Sequence, residues 1–369
     1  MAVQRVSAQD LAACEVLPFD LFDADGALVL MRGMHAPPAH ELAQMLARGL
    51  FCNELPHAAS NISAPVSVLR TLNDCCERLE KLLPELSSQP APAQEVMALV
   101  ALLDAALDLN PDVALACVLL QQIGGVYSVR HCLESALLAL LLARSCNLDD
   151  AECTRIAASC LTMNIGMLDM HDSLQLRRHQ LDDSEIQRIR HHPEISINLL
   201  RQAGIDDAQW LEYVLHHHEN EDGSGYPFGK QAAAIPPGAR IIALADRYCA
   251  QVASRNYRQS LTPQQACATM RHEFGAPHEQ ALLGAFLREI GEFPPGSRVL
   301  LADGALAVVS HRRAGMPPLV HRLRDAQGQL LTPPQLQDAR DNPIQRALHE
   351  ADAPLRFAMK KVWGEHATL

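Results

Sequence analysis

Three consecutive histidines, His216, His217 and His218, close an apolar helical pattern that includes Trp210, Val214 and Leu215. Adjacent imidazoles at a helix terminus can point at one cation, and neutral imidazole is a good ligand for zinc, manganese and iron. The same stretch runs on through acidic residues into a glycine-rich turn, Asp222, Gly223, Ser224, Gly225, Tyr226 and Pro227, whose residues favour a tight loop. Other groups of the same chemical kind lie along the chain. His131 sits in a leucine-rich helical run, where it reads either as a ligand or as a core histidine bonded to a carbonyl. His192 precedes Pro193, which disfavours α conformation at His192 and places the ring at a helix junction. Periodicity alone does not decide whether His191 or His192 faces inward. Asp246 lies in the apolar run Ile241–Ala250, where a carboxylate needs a cation or strong hydrogen bonds, unless Asp246 and Arg247 form a solvated edge.

The elements that must position these groups follow from pattern and composition. With 369 residues, 48% hydrophobic and 20% charged, the chain can bury two or three cores. Pro18 to Met31 reads as two strands around an Asp23–Gly26 turn, followed by a helical stretch from Pro38 to Gly49, so residues 1–65 are expected to form a small α+β unit. Residues 66–122 carry apolar positions at helical spacing, among them Leu69, Leu72, Cys76, Leu79, Leu82 and Leu83, with a break at Pro90–Pro92, and read as a helical connector. Residues 123–290 are helix after helix and hold every histidine constellation. Residues 291–369 change to short β-like runs, Arg298–Leu301, Leu306–Ser310 and Leu319–Leu323, and read as a small β-rich module. The expected fold class is mainly α, an all-helical core with a small unit at either end.

Charge and cysteine usage narrow the function classes. With 31 basic against 43 acidic residues the net charge is -12, which disfavours nucleic acid or an anionic membrane as a partner. The longest apolar run, Ala136–Ala143, is too short to span a bilayer, and the opening residues lack an export signal, so a cytoplasmic location is expected. Eleven cysteines without C-x-x-C spacing read as reduced thiols.

The order of the elements is more specific than any one of them. His131, the Ile165-Gly166 pair, His192-Pro193, His217-His218-Glu219, Asp222 to Pro227, Ile235-Pro236, Ala245-Asp246 and Arg255 to Arg258 together resemble the HD-GYP family of bacterial cyclic-di-GMP phosphodiesterases, over roughly Ser128 to Glu273. The resemblance implies an all-helical HD-GYP core in which two or three metal ions generate a hydroxide and neutralise a phosphodiester. It also implies that His131 and Asp246 serve a first metal and that His192, His217 and His218 serve a second. Arg255 and Arg258 would hold phosphate. The loop of Asp222, Gly223, Gly225, Tyr226 and Pro227 would form a lip beside the ligand and touch diguanylate cyclase domains.

This chain departs from the family where the His-Asp-x-Gly-Lys motif falls. Met163, Asn164 and Met167 stand in place of the histidine, the aspartate and the lysine. A thioether is a poor donor for such a metal, and a neutral amide cannot supply a bridging negative charge. The literal pair His171-Asp172 lies beyond the aligned position and reads as a polar loop or helix start with Asp172-Ser173 near an N-cap. The resemblance therefore implies one divalent transition metal (Fe, Mn or Zn) or none, rather than two or three, and hydrolysis of cyclic di-GMP that is weakened or lost. The alternatives are a non-catalytic cyclic-di-GMP sensor and a protein-interaction scaffold, and a homodimer is allowed by either.

Overall fold

The computed structural model describes residues 4–6, 17, 21–23, 28–30, 37, 41–42, 45–46, 49–52, 67–176, 181–253, 260–353 and 355–369. Two compact units divide the chain, Met1–Ala64 and Pro65–Leu369. In the first, strands β1 (Gln4–Arg5), β2 (Leu21–Phe22), β3 (Leu28–Leu30) and β4 (Phe51–Cys52) form an antiparallel sheet in the order β1-β4-β2-β3. The strands on either side of Asp23 pair as Leu21 with Leu30, while most of the turn between them and most of the stretch from Pro38 lie outside the described residues.

The second unit is built around α4 (Tyr127–Ser145), a helix whose residues are buried on every side from His131 through Ala143. A helix that is apolar all round belongs in the middle of a helical body. Against it pack α1 (Val68–Leu82), α2 (Pro92–Leu109), α3 (Pro111–Leu119), α5 (Asp150–Thr162), α6 (Leu168–Leu176), α9 (Pro237–Val252) and α11 (Pro277–Ile290). Residues 66–122, expected as a connector, thus share one hydrophobic core with residues 123–290 through Leu72, Leu79, Val96, Leu103 and Val113.

Helix ends follow their capping residues. Asp149 caps α5 through Glu152 N, Asp207 caps α8 (Ala208–His216) through Trp210 N, and α10 (Pro263–Glu273) begins with a capping box of Thr262 and Gln265. A second capping box, Asp182 with Glu185, opens α7 (Asp183–Gln202). This helix runs unbroken through Pro193, so His192 lies inside a helix and not at the junction that the proline suggested. The pair His171-Asp172 is also placed differently from the loop or helix start expected of it. Both residues lie inside α6, and Asp172 caps a different helix: its carboxylate accepts from Ser128 N and Ser128 Oγ, both at 2.8 Å, at the first turn of α4.

The closing residues form a five-stranded antiparallel sheet, β5 (Arg298–Leu301), β6 (Leu306–His311), β7 (Leu319–Arg324), β8 (Leu330–Asp338) and β9 (Ile344–Ala347), in the order β8-β7-β6-β5-β9. One face encloses Val299, Leu301, Ala307, Val309 and Val320, while Val308, Leu323 and Leu348 join the helical core. Arg312 fastens the sheet to the helices, meeting Asp112 at 2.7 Å and Glu289 at 2.7 Å. Among the described residues no helix is long and apolar enough to cross a membrane.

Because Asp172 supplies acceptors to the first turn of α4 from outside that helix, Asp172→Ala is expected to lower stability by about 1 to 2 kcal/mol, the usual worth of an N-cap. Urea unfolding followed by helical signal reads this as a lower midpoint with an unchanged slope. An unchanged midpoint would mean that the cap contributes nothing.

Candidate metal centre

The triad begins with a proline. Inside α7 the amide of residue 193 would donate to the carbonyl of Ile189, four residues back, but proline has no N–H to give. The vacated carbonyl is taken by the neighbouring ring: His192 Nδ1 lies 2.6 Å from Ile189 O. A second carbonyl is freed by the end of α8, where the last turn has no following amides to satisfy it. There His217 Nδ1 lies 2.6 Å from Val214 O. A carbonyl can only accept, so both rings carry their proton on Nδ1 and present the Nε2 lone pair.

These two lone pairs face each other, with Nε2 to Nε2 at 3.3 Å and both histidines fully buried. Two acceptors at that separation are unsatisfied without a cation between them. A tetrahedral ion with Zn–N bonds near 2.0 to 2.1 Å sets its ligands about 3.3 Å apart, which matches. His218 completes the set: one donor atom from each of His192, His217 and His218 lies within 4.8 Å of the others. Burial pushes His192 down to about 3, helped by the neighbouring His217, and burial also lowers His217 and His218. All three imidazoles are therefore held neutral, the form that ligates metal.

The loop after α8 is clamped over the triad. Glu219, buried, accepts from Phe228 N and Lys230 N, each at 2.8 Å, and Tyr226 N donates to His218 O at 3.1 Å. The Tyr226 ring stacks on His218 with centroids 4.6 Å apart and meets His192 edge-on at 6.2 Å. Gly225 permits this closeness, since a Cβ there would stand 2.3 Å from Asn220 N and 2.6 Å from His218 O. Asp222 turns outward and accepts from Ser224 N and Oγ, while Gly223 adopts φ +80°, which glycine tolerates. Pro227 is part of the same turn.

His131 and Asp246 are brought close to the triad and turned toward each other. His131 Nε2 lies 2.7 Å from Asp246 Oδ1. That is a direct hydrogen bond, and it is shorter than the roughly 3.3 Å edge that two ligands of one tetrahedral ion would show. Burial would raise the Asp246 carboxyl, but the hydrogen bond and charge of His131 hold it well below the usual carboxylate range. Its negative charge in turn acts on His217 and His218. His131 also packs against the rings of Tyr127, at 5.4 Å, and His171, at 5.5 Å.

Of the three positions read as substituted, Met163 and Asn164 are buried. Met163 is fully buried among apolar side chains, and its carbonyl accepts from Ser196 Oγ at 2.8 Å. Asn164, also buried, lies beside the thiol of Cys132. Met167 ends the short 3₁₀ turn Ile165–Met167 and is half-buried. Arg255 and Arg258 lie outside the described residues. Of His191 and His192, the structure buries His192 and leaves His191 exposed, bonded to Gln187 O. Sequence reading passed over Glu219 as a loop clamp, although it adjoins the histidine run, and His171 beside His131, which no spacing signals.

Residues 114–278 match the family model described as HD domain. Over 214 residues the chain is 29% identical to "Cyclic di-GMP phosphodiesterase PA4108" of Pseudomonas aeruginosa, covering 58% of this chain and 51% of that protein. It is 32% identical over 149 residues to "Cyclic di-GMP phosphodiesterase response regulator RpfG" of Xanthomonas campestris pv. campestris, covering 40% and 39%. Identity to "3'3'-cGAMP-specific phosphodiesterase 1" of Vibrio cholerae is 32% over 147 residues, covering 40% and 34%. The chain spans about half the length of these relatives or less.

The depressed histidines set a pH dependence for the metal-free protein. Below the ordinary value of 6.5 the unfolded chain takes up protons that folded His192 refuses until about 3, so stability falls as pH falls through that window. His192→Gln removes one such group, and between about pH 6 and about pH 4 the slope of stability against pH should flatten by up to about 1.4 kcal/mol per pH unit. Urea titrations at stepped pH measure it, and an identical slope in both proteins would contradict the buried, neutral His192.

Proposed function

We propose that the HD-domain match over residues 114–278 is of the HD-GYP type and that this chain binds a cyclic dinucleotide of the cyclic di-GMP class beside a single divalent transition metal ion, with hydrolysis weakened or lost. The observation that carries the reading is the contrast between the two halves of the centre. His192 and His217 aim two lone pairs at one point, 3.3 Å apart, while His131 Nε2–H donates to Asp246 Oδ1 at 2.7 Å.

The residues present fit one ion, held by His192, His217 and His218. A bound ion of this kind supplies Lewis acidity toward a phosphodiester oxygen or a bound water. The Nδ1 bonds to Ile189 O and Val214 O keep the two imidazoles from turning away, and Tyr226 covers the third. Asp246 provides negative charge near the triad, with its Oδ1 engaged by His131. Asn164 offers a neutral amide where a bridging carboxylate would stand, so a second cation has neither a shared ligand nor charge compensation. Met167, in place of the motif's lysine, brings no positive charge to a phosphate. Arg255 and Arg258 remain the proposed phosphate contacts, and the loop from Asp222 to Pro227 the proposed contact with diguanylate cyclase domains.

Weakened chemistry with retained binding favours a sensing role over a degradative one. The test is cyclic di-GMP turnover and binding by the native chain and by a Met163→His, Asn164→Asp, Met167→Lys variant. Native protein should bind the dinucleotide with little or no formation of linear product, and the variant should hydrolyse it at least about tenfold faster, a modest share of what a metal-ion mechanism contributes. Rapid turnover by the native chain would overturn the proposal, and absence of binding would leave only the scaffold reading.

A further inference from the structure

Between Val96 and Leu103 helix α2 carries only apolar side chains, yet it is covered on one side only. Val96, Leu99, Val100 and Leu103 are buried in the helical core, whereas Met97, Ala98 and Ala101 are exposed, Met97 at 40%. A helix stretch with no polar face is ordinarily enclosed by protein on all sides. The outward strip runs into a groove of about 440 Å³, lined by Ala93 and Met97 of α2, Ala151 and Thr154 of α5, Ile205, and Trp210 of α8. Trp210 spends its indole N–H on Thr162 Oγ1 at 2.9 Å, so it enters this wall as an apolar surface.

The rim of the groove is acidic. Asp150, Asp206 and Asp207 border it, and Arg155 stands among them. That guanidinium is already shared by Asp207, at 3.3 Å, and Glu152. Farther along α2, Arg144 is likewise shared by Asp104 and Asp108. Burial pushes the Asp104 carboxyl up, and the charges of Asp108 and Asp150 push it the same way against Arg144, so the carboxylates of α2 and α5 form one crowd. Asp150 and Asp206 have no basic partner among the described residues. Apolar surface with an uncompensated negative border is what a basic, amphipathic segment would complement.

We infer that the outer face of α2 and the groove beside it form a docking surface for a basic amphipathic helix of a partner protein. The free element is itself a helix face, and its small side chains at Ala98 and Ala101 let a second helix approach closely. Met97 is an adaptable apolar anchor for such a contact. The partner's apolar residues, spaced one helical turn apart, cover the strip and enter the groove, while its lysines or arginines meet Asp150 and Asp206. A second copy of this chain docked through the same patch would set acidic rim against acidic rim, which like charges oppose. The surface is distinct from the metal centre, since none of the three histidines lines it, but it shares α8 with that centre: Trp210 lies in the first turn and His217 caps the last.

The test is calorimetric binding of two synthetic helical peptides to the full chain. One is built of leucine and lysine with leucine at i, i+3, i+4 and i+7, and the other has glutamate in place of every lysine. The variants are Met97→Glu, the double variant Asp150→Lys, Asp206→Lys, and the remote double variant Glu273→Lys, Asp341→Lys, all at exposed positions. The lysine peptide should bind native protein at least about tenfold more tightly than the glutamate peptide, and lose about tenfold in Met97→Glu and in the rim variant. The remote variant, which changes net charge by the same amount, should bind it as native protein does. Equal binding of the two peptides, indifference to Met97→Glu, or an equal loss in the remote variant overturns the docking surface. Sedimentation gives the remaining outcome: a native dimer that Met97→Glu dissociates would make a second copy the occupant and overturn the proposal.

Discussion

Two backbone carbonyls without amide partners, those of Ile189 and Val214, determine what this protein can do with its histidines. One is freed by Pro193 and the other by the end of α8, and each is taken by an imidazole Nδ1 at 2.6 Å. Burying an unsatisfied carbonyl costs about 1 to 3 kcal/mol, so each ring is anchored by the same energy that protects the helix. The anchoring fixes the tautomer, the tautomer points Nε2 outward, and the Nε2 atoms meet at 3.3 Å. Everything downstream, including the clamped loop of Glu219 and Tyr226, serves to keep that meeting point enclosed.

The other half of the centre is closed on itself. His131 and Asp246 meet at 2.7 Å, while Met163 fills the core and Asn164 is buried beside Cys132. A carboxylate mostly removed from water needs a partner, and His131 supplies it to Asp246. The centre is therefore asymmetric, with three neutral donors on one side and a closed ion-pairing contact on the other.

Much of this was legible in the sequence, and the rest was hidden for physical reasons. The helical core and strands β5 to β7 follow from apolar periodicity, and the histidines from their number and order. Strand β8 escapes notice because Pro333 and Pro334 interrupt it, which only an edge strand tolerates, and its exposed Leu330 and Leu336 show no alternation. Pro193 reads as a break because the rule for prolines counts the lost amide and not a side chain that can replace it. Asp172 reads as a local cap, whereas its partner Ser128 lies 44 residues away in sequence. Contacts of that range leave no trace in spacing.

One ion is proposed to belong to this centre. Elemental analysis of purified native protein, His217→Gln and His131→Gln measures it directly. Close to one transition-metal ion per chain is expected in native protein, nearly none in His217→Gln, and undiminished content in His131→Gln, because His131 is engaged by Asp246 and not by the ion. Two ions per chain in native protein, or loss of the ion in His131→Gln, would contradict it.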